Sequence, residues 1–207
     1  MKPIIFVRVA DMKYYQGIDD IDEPKNGGSY VEENHYAHEC FNFSSFEDDY
    51  RKCIGYFQTS NGDQLHIEKI NGCEAMKTEE QVDNVIVVFV AKTDISSSMR
   101  VVGFYKNATV YRYLHTYIFN DGADDQCYWT EAKVEDCILI PSGKRNRAEW
   151  SVPSASAKGK LFGFGRSNVW YPCKKGCPKE EIEFVERMIN QIENYNEENY
   201  TDCRGEC

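Results

Sequence analysis

Most apolar runs in this 207-residue chain are short and follow no helical period. Residues 3–9, PIIFVRV, are β-branched, aromatic and nearly continuous, the pattern of a buried strand. Residues 82–92 are centred on VIVVFVA, a run that needs cover on both faces and so predicts a central strand. Further strands are predicted over 35–43, 53–59, 64–70, 99–110, 111–119, 127–133 and 137–140. Ser60-Asn61-Gly62-Asp63 has turn chemistry and joins 53–59 to 64–70 as a hairpin. Lys106 and Asn107 interrupt 99–110, which reads as an edge strand with an exposed bulge. Asp11 is placed to cap a short helical turn over 11–15. Residues 18–28, rich in Asp, Pro and Gly, read as an exposed loop, 44–50 as a loop or turn, and 120–125 as an acidic turn. The one long helix predicted is 179–200, where Ile182, Val185, Ile189 and Ile192 recur at helical spacing and Met188 and Tyr195 widen the stripe.

Many short strands, short helical turns and one terminal helix predict an α+β fold. The spacing is that of a closed or nearly closed mixed β-barrel over 1–177, with the helix and tail of 178–207 packed on the same domain. A doubly wound fold needs long helices between strands, and the pattern has none. A chain of this length buries roughly two-thirds of its unfolded surface, so its core needs no staples. The N-terminal apolar run is too short for a secretory signal and is interrupted by Arg8, and no run approaches the ~20 apolar residues of a membrane helix. A cytoplasmic location is expected, with the nine cysteines as reduced thiols.

Charge changes the picture in one place. The net charge of −10 argues against a general polyanion binder. Yet residues 141–175 hold eight basic side chains and one acid, Glu149, so that segment is +7 and the rest of the chain −17. Within it lies LFGFGRSNVWY, residues 161–171, which combines two glycines, an arginine, a serine, an asparagine and four aromatic rings. Glycines permit close backbone approach, aromatic faces stack on flat rings, and Arg and Asn read base edges. The same composition also fits a glycine loop entering a buried strand. From Pro178 onward nine acids face three bases, which makes the outer face of the helix acidic.

Other chemistry is weaker. His35, His38 and Glu39 have the side chains of a metal or acid–base site, without the His-Glu-x-x-His spacing or a third ligand nearby. On a strand His38 and Cys40 would share a face. Cys173/Cys177 and Cys203/Cys207 are two matched pairs, but about 20 helical residues between them span roughly 30 Å, too far for one shared zinc. No metal or cofactor is therefore expected. A phosphate loop, a complete dinucleotide fingerprint and a nucleophile elbow are all absent. Because Cys207 is the last residue, a longer protein with a half zinc knuckle here is one expectation.

The elements KYYQG, GGSYV, HECFNF, VGFYKNATVYR and GRSNVWY, in this order, resemble an N-terminal module of bacterial proteins that often continue into an HNH-type nuclease domain. The barrel is similar to the PUA-like group, including EVE and YTH domains. That resemblance implies a reader of modified nucleic acid, DNA or RNA, in a restriction-like defence protein, with an aromatic cage for the base. The nuclease motif itself is not in these residues, so no catalytic residue is carried over.

The leading expectation is thus a binding module that recognises a modified or flipped base. Lys144, Arg145, Arg147 and Arg166 would contact phosphates, with Ser167, Lys106 and Arg112 beside them. Trp170 would stack on the base, Asn168 would bond its edge, and Tyr105 and Asn107 would line the pocket; Trp129 and Trp150 are further cage candidates. The alternatives are an enzyme using His35, His38 and Glu39, or a protein-interaction domain presenting the acidic helix. A downstream nuclease domain or a protein partner is expected; a membrane is not.

Overall fold

The two longest strands, Gln81–Lys92 and Met99–Tyr117, lie side by side and antiparallel, and the rest of the chain is attached to them. The computed structural model describes residues 1–46, 51–59, 64–93, 98–118, 125–155 and 161–203. In chain order its strands are β1 (Ile4–Arg8), β2 (Ser45–Phe46), β3 (Lys52–Gly55), β4 (Gln81–Lys92), β5 (Met99–Tyr117), β6 (Gln126–Lys133), β7 (Cys137–Leu139), β8 (Ser151–Val152) and β9 (Val169–Trp170). The α-helices are α1 (Ser29–Asn34) and α2 (Lys179–Glu193). The sheet runs β2-β3-β6-β5-β4-β1-β9, and β7 and β8 continue along the edge of β5 beyond β6. β1 lies parallel to β4; every other pairing is antiparallel.

The α+β class holds, with a mixed sheet. The closed barrel does not: the sheet is open, ending at β2 and β9. Each end strand has only two residues, too few ladder groups for the two edges to meet.

β4 shows why both faces are covered. Val85, Val87, Phe89 and Ala91 enter one core with Tyr15, Phe43, Phe57, Ile67 and Trp129. Ile86, Val88 and Val90 enter the other with Phe164, Trp170, Phe184, Val185 and Met188. The sheet is thus the middle layer between irregular segments and α2. The register shifts set which side chain goes where. One extra β5 residue lies between Gly103 and Val101, opposite Phe89 and Val90, and another between Tyr105 and Ala108, opposite Val87 and Val85. Each bulge reverses the face taken by the residues that follow. A third shift adds a residue to β4 between Val82 and Val85, where Asn84 takes φ 60°. The predicted Lys106-Asn107 bulge is present, but β5 is a central strand, not an edge.

Several local expectations are corrected. Residues 35–43 are not a strand: α1 ends at His35 with φ 52°, and His38–Phe41 is a 3-10 helix. The buried positions Ala37, Cys40 and Phe43 recur every three residues, which a strand cannot present to one face. The 53–59/64–70 hairpin is also absent. β3 pairs with β2 and β6, and Ile67–Lys69 is a 3-10 helix; residues 60–63 lie outside the described residues. The 120–125 turn and the 44–50 segment fall largely outside them too.

No helix starts at Asp11, which bridges Lys25 instead. The amides of Lys13, Tyr14 and Tyr15 are taken by the buried carboxylate of Asp22, so the 18–28 loop is not wholly exposed. α2 stops at Glu193, seven residues short of Tyr200, because the Asn194-Tyr195-Asn196 run favours a turn over another helical turn. Among the described residues no helix is long and apolar enough to cross a membrane.

Candidate nucleic-acid interface

The LFGFGRSNVWY stretch makes its close approach to its own chain. Gly163 has φ 115°, and a Cβ there would lie 2.1 Å from the Pro153 carbonyl oxygen. This lets Phe164 N–H donate to Pro153 O at 3.0 Å and lets Ser154 and Phe164 form a parallel bridge. β9 then pairs with β1, with Trp170 opposite Phe6. The two rings therefore share a face, 4.8 Å apart, and Phe164 and Phe184 each lie 6.0 Å from Trp170. The stacking role expected of Trp170 is corrected on this ground: its faces are occupied by the α2-side core. Trp150 and Trp129 are buried as well, so none of the three tryptophans is free to form a cage.

Most of the polar candidates are engaged inside the fold. Tyr105 is fully buried and its hydroxyl donates to Asn42 O, so it lines no pocket. Burial pushes its phenol well above the ordinary value of 10.0. Asn107 is exposed, donates to Asp136 at 2.8 Å and accepts from Lys2, while Lys106 beside it is half-buried. Arg112 is buried where β5 passes the 64–80 segment, donating to the Glu79 and Met76 carbonyls and to Glu68. Desolvation raises the Glu68 carboxyl, but hydrogen bonds from Arg112, the backbone and His66 outweigh it and hold the group at about 2.

Arg145 is 2% exposed and donates to the Ile140, Met12 and Lys13 carbonyls, with Asp11 3.4 Å away. Lys144 pairs with Glu197 and Glu198, and Arg147 with Glu197 and Glu149. Arg112 and Arg145 are thus structural clamps, and Lys144 and Arg147 are already neutralised by the acidic tail. That leaves the turn of exposed Arg166, exposed Ser167 and half-buried Asn168. Ser167 Oγ accepts the Val169 N–H, and Asn168 O accepts the Arg8 N–H at 2.7 Å, which seats this turn against the end of β1.

The residue that the sequence reading passed over is Arg8 itself. It lines an open cleft of about 900 Å³ between α2 and the 151–154 and 161–162 segments, with Val152, Phe162, Phe184 and Arg187. Its guanidinium lies over the Phe164 ring, 5.1 Å from the centroid, and one terminal nitrogen donates to Gly165 O at 3.4 Å. Its buried Nε has no hydrogen-bond partner, and it pairs with no carboxylate among the described residues. Burial lowers its pKa from the ordinary 12.5. Arg187 lies over the Phe184 ring at 5.5 Å and makes no ion pair among the described residues. Leu161, 78% exposed, stands at the cleft mouth. The cleft also has acids, Glu180 and Glu183, the latter paired with Lys179 at 3.0 Å. The signal in sequence was Arg8 as the one charge inside an otherwise apolar strand. Lys158 and Lys160 lie outside the described residues.

His35, His38 and Glu39 do not converge. His35 is exposed at the end of α1. His38 lies among the rings of Tyr30, Tyr36 and Tyr56, and burial lowers its pKa. Glu39 Oε1 accepts the Ala10 N–H at 2.8 Å, and burial raises its carboxyl. His38 and Cys40 sit on one 3-10 helix rather than facing each other on a strand. One other group among the described residues has the donors and spacing for a metal ion: Cys173, Cys177 and Glu181, at the start of α2. No family model, no curated protein and no solved structure matches this chain.

Proposed function

We propose that this protein binds nucleic acid and takes one nucleotide of a single or locally opened strand into the cleft beside Arg8. The observation that carries this reading is the Arg8 guanidinium, half-buried over Phe164 in the cleft lining, with no carboxylate paired to it among the described residues. A partly desolvated guanidinium with no carboxylate of its own favours an anionic ligand, and its fork matches a phosphate. The walls of Val152, Phe162 and Phe184 offer an apolar surface for a base, and Arg187 adds a second cation to the lining. The resemblance to the N-terminal module of HNH-associated proteins, often part of restriction-like defence, points to the same class; its PUA-like part rested on a closed barrel, and the sheet is open. No tryptophan cage enters the reading, because the three rings are packed in the cores.

The chain is acidic, so only a few phosphates are neutralised. With two or three contacts to a single strand, log K falls against log salt with a slope of about −1.4 to −2. Fluorescence anisotropy with single-stranded and duplex oligonucleotides, unmodified and base-modified, across salt, tests this. Single strands are expected to bind at low salt with that slope, and Arg8→Gln to weaken them about tenfold or more, the loss of one charge-assisted contact. No binding of any oligonucleotide at low salt, or equal binding by Arg8→Gln, overturns the reading.

A further inference from the structure

We propose that Cys173, Cys177 and Glu181 form a binding site for one zinc-class divalent cation that ties the 173–177 loop to the start of α2. The loop is built for it. Cys173 has φ 58° and Gly176 φ 83°, and Cys177 N–H donates to Lys174 O at 2.9 Å. These left-handed residues fold CKKGC into a turn that returns the second sulfur toward the first. Pro178 then caps α2, and Glu181 falls in its first turn. Glu181 Oε1 accepts the Cys173 N–H at 2.8 Å, which fixes the carboxylate on the loop and leaves Oε2 for a ligand.

One donor atom from each of the three residues lies within 4.8 Å of the other two. With sulfur at about 2.3 Å and carboxylate oxygen at about 2.0–2.2 Å from a tetrahedral zinc, the edges between ligands are about 3.5–3.8 Å. The group therefore closes on an ion with side-chain shifts of about 1 Å and no refolding. Both thiols are half-buried and Glu181 is 7% exposed, with no ion pair to a lysine or arginine among the described residues. A divalent ion would give this carboxylate and the two sulfurs a common positive partner.

Metal-free, Cys173 holds its proton, pushed up to about 12 first by burial and then by Cys177 and Glu181. Binding replaces the two thiol protons with the ion: two Zn–S bonds and one Zn–O bond form, and two protons go to solvent. Two thiolates and one carboxylate select zinc over magnesium or calcium. An open cleft of about 460 Å³, lined by Cys173 and Cys177 with Met1, Asn71, Gly72 and Lys174, lies beside the two sulfurs and would admit water as a further ligand. Cys203 is not part of the group: its neighbour Asp202 bonds to Phe43 O and Ser45, at the β2 end of the sheet. With Cys203 held elsewhere, the third donor beside Cys173 and Cys177 is Glu181, four residues beyond Cys177.

The test uses the full chain, reduced and stripped with a chelator, titrated with Co²⁺ and then Zn²⁺. One equivalent of Co²⁺ is expected to produce thiolate-to-cobalt charge transfer with tetrahedral ligand-field bands, displaced by Zn²⁺, and Zn²⁺ is expected to raise Tm. Cys177→Ser and Cys173→Ser lose the one-equivalent charge-transfer band, whereas Cys127→Ser keeps it. Glu181→Gln retains the sulfur bands with affinity lowered about 10–100-fold, the scale on which even outer-sphere partners of metal sites act. No charge transfer in the wild type, an intact band in Cys177→Ser, or an unchanged affinity in Glu181→Gln overturns the proposal. If Cys173→Ser does not fold, the other two variants decide. The readout is independent of oligonucleotide binding, so this site and the Arg8 cleft succeed or fail separately.

Discussion

The basic segment splits into two halves that look alike in sequence and behave differently in space. Between 141 and 150 every cation is answered: Arg145 by three carbonyls and Asp11, Lys144 and Arg147 by Glu197 and its neighbours. Between 161 and 168 the chain instead folds against β1, and the cations gathered there, Arg166 and Arg8, meet no carboxylate among the described residues. A run of like charge is thus a footprint for a partner only where the fold pairs no acid with it. The acidic stretch after α2 returns to the first half and not to the second.

Arg145→Ala is the harshest test of that contrast. It strips two buried carbonyls, a third that is partly buried, and Asp11 of their donor, and a loss of about 3–5 kcal/mol in urea denaturation is expected. A loss well under 1 kcal/mol would mean that Arg145 is not a clamp. Gly163→Ala comes next. At φ 115° and against Pro153 O it should cost about 1–3 kcal/mol. It should also displace Arg166 and weaken oligonucleotide binding, so unchanged binding in anisotropy would separate the loop from the cleft.

Arg112 extends the clamp half of the comparison through pH. Glu68 has a folded value near 2, below its ordinary 4.5. A depressed carboxyl contributes stability that is complete above the ordinary value and is lost as pH falls from there toward the folded one. Stability should therefore decline between about pH 4.5 and 2, and Glu68→Gln should flatten that part of the curve. An identical acid profile for Glu68→Gln and wild type would remove Glu68 as the cause. The smallest effect is expected for Arg147→Gln. Its ion pairs are at the surface, so neither Tm nor oligonucleotide affinity should change measurably. A loss of affinity equal to that of Arg8→Gln would return the 141–150 half to the interface.

β1, β4, β5 and the amphipathic face of α2 were legible in the sequence, because β-branched runs and a 3.6-residue stripe mark elements whatever their neighbours; β6 and β7 were legible as short aromatic or apolar segments bounded by turn residues and Pro141. The bulge at Lys106-Asn107 was legible too, since two polar residues in an apolar run have nowhere to go in a regular strand. The segment 29–43 was not. Its apolar residues are too few to establish a period, and the three-residue spacing of Ala37, Cys40 and Phe43 emerges only from their burial.

The candidate site was half legible. Its location in 161–171 came from composition, but its principal residue, Arg8, lies more than 150 residues away and arrives through the β1–β9 pairing. The tryptophans misled because aromatic rings have the same composition whether they stack on a ligand or on Phe6.

By itself the sequence determined the class of fold, the central strands, the terminal helix and the uneven placement of charge. These depend on side-chain period and count, which are local properties. Only the tertiary structure decided that the sheet stays open, which face each β5 residue takes after its bulges, and which cations are left without acids. Those outcomes depend on register and on contacts between distant segments. A one-residue shift in pairing moves a side chain from one core to the other, and no local pattern encodes which acceptor will stand opposite a buried arginine.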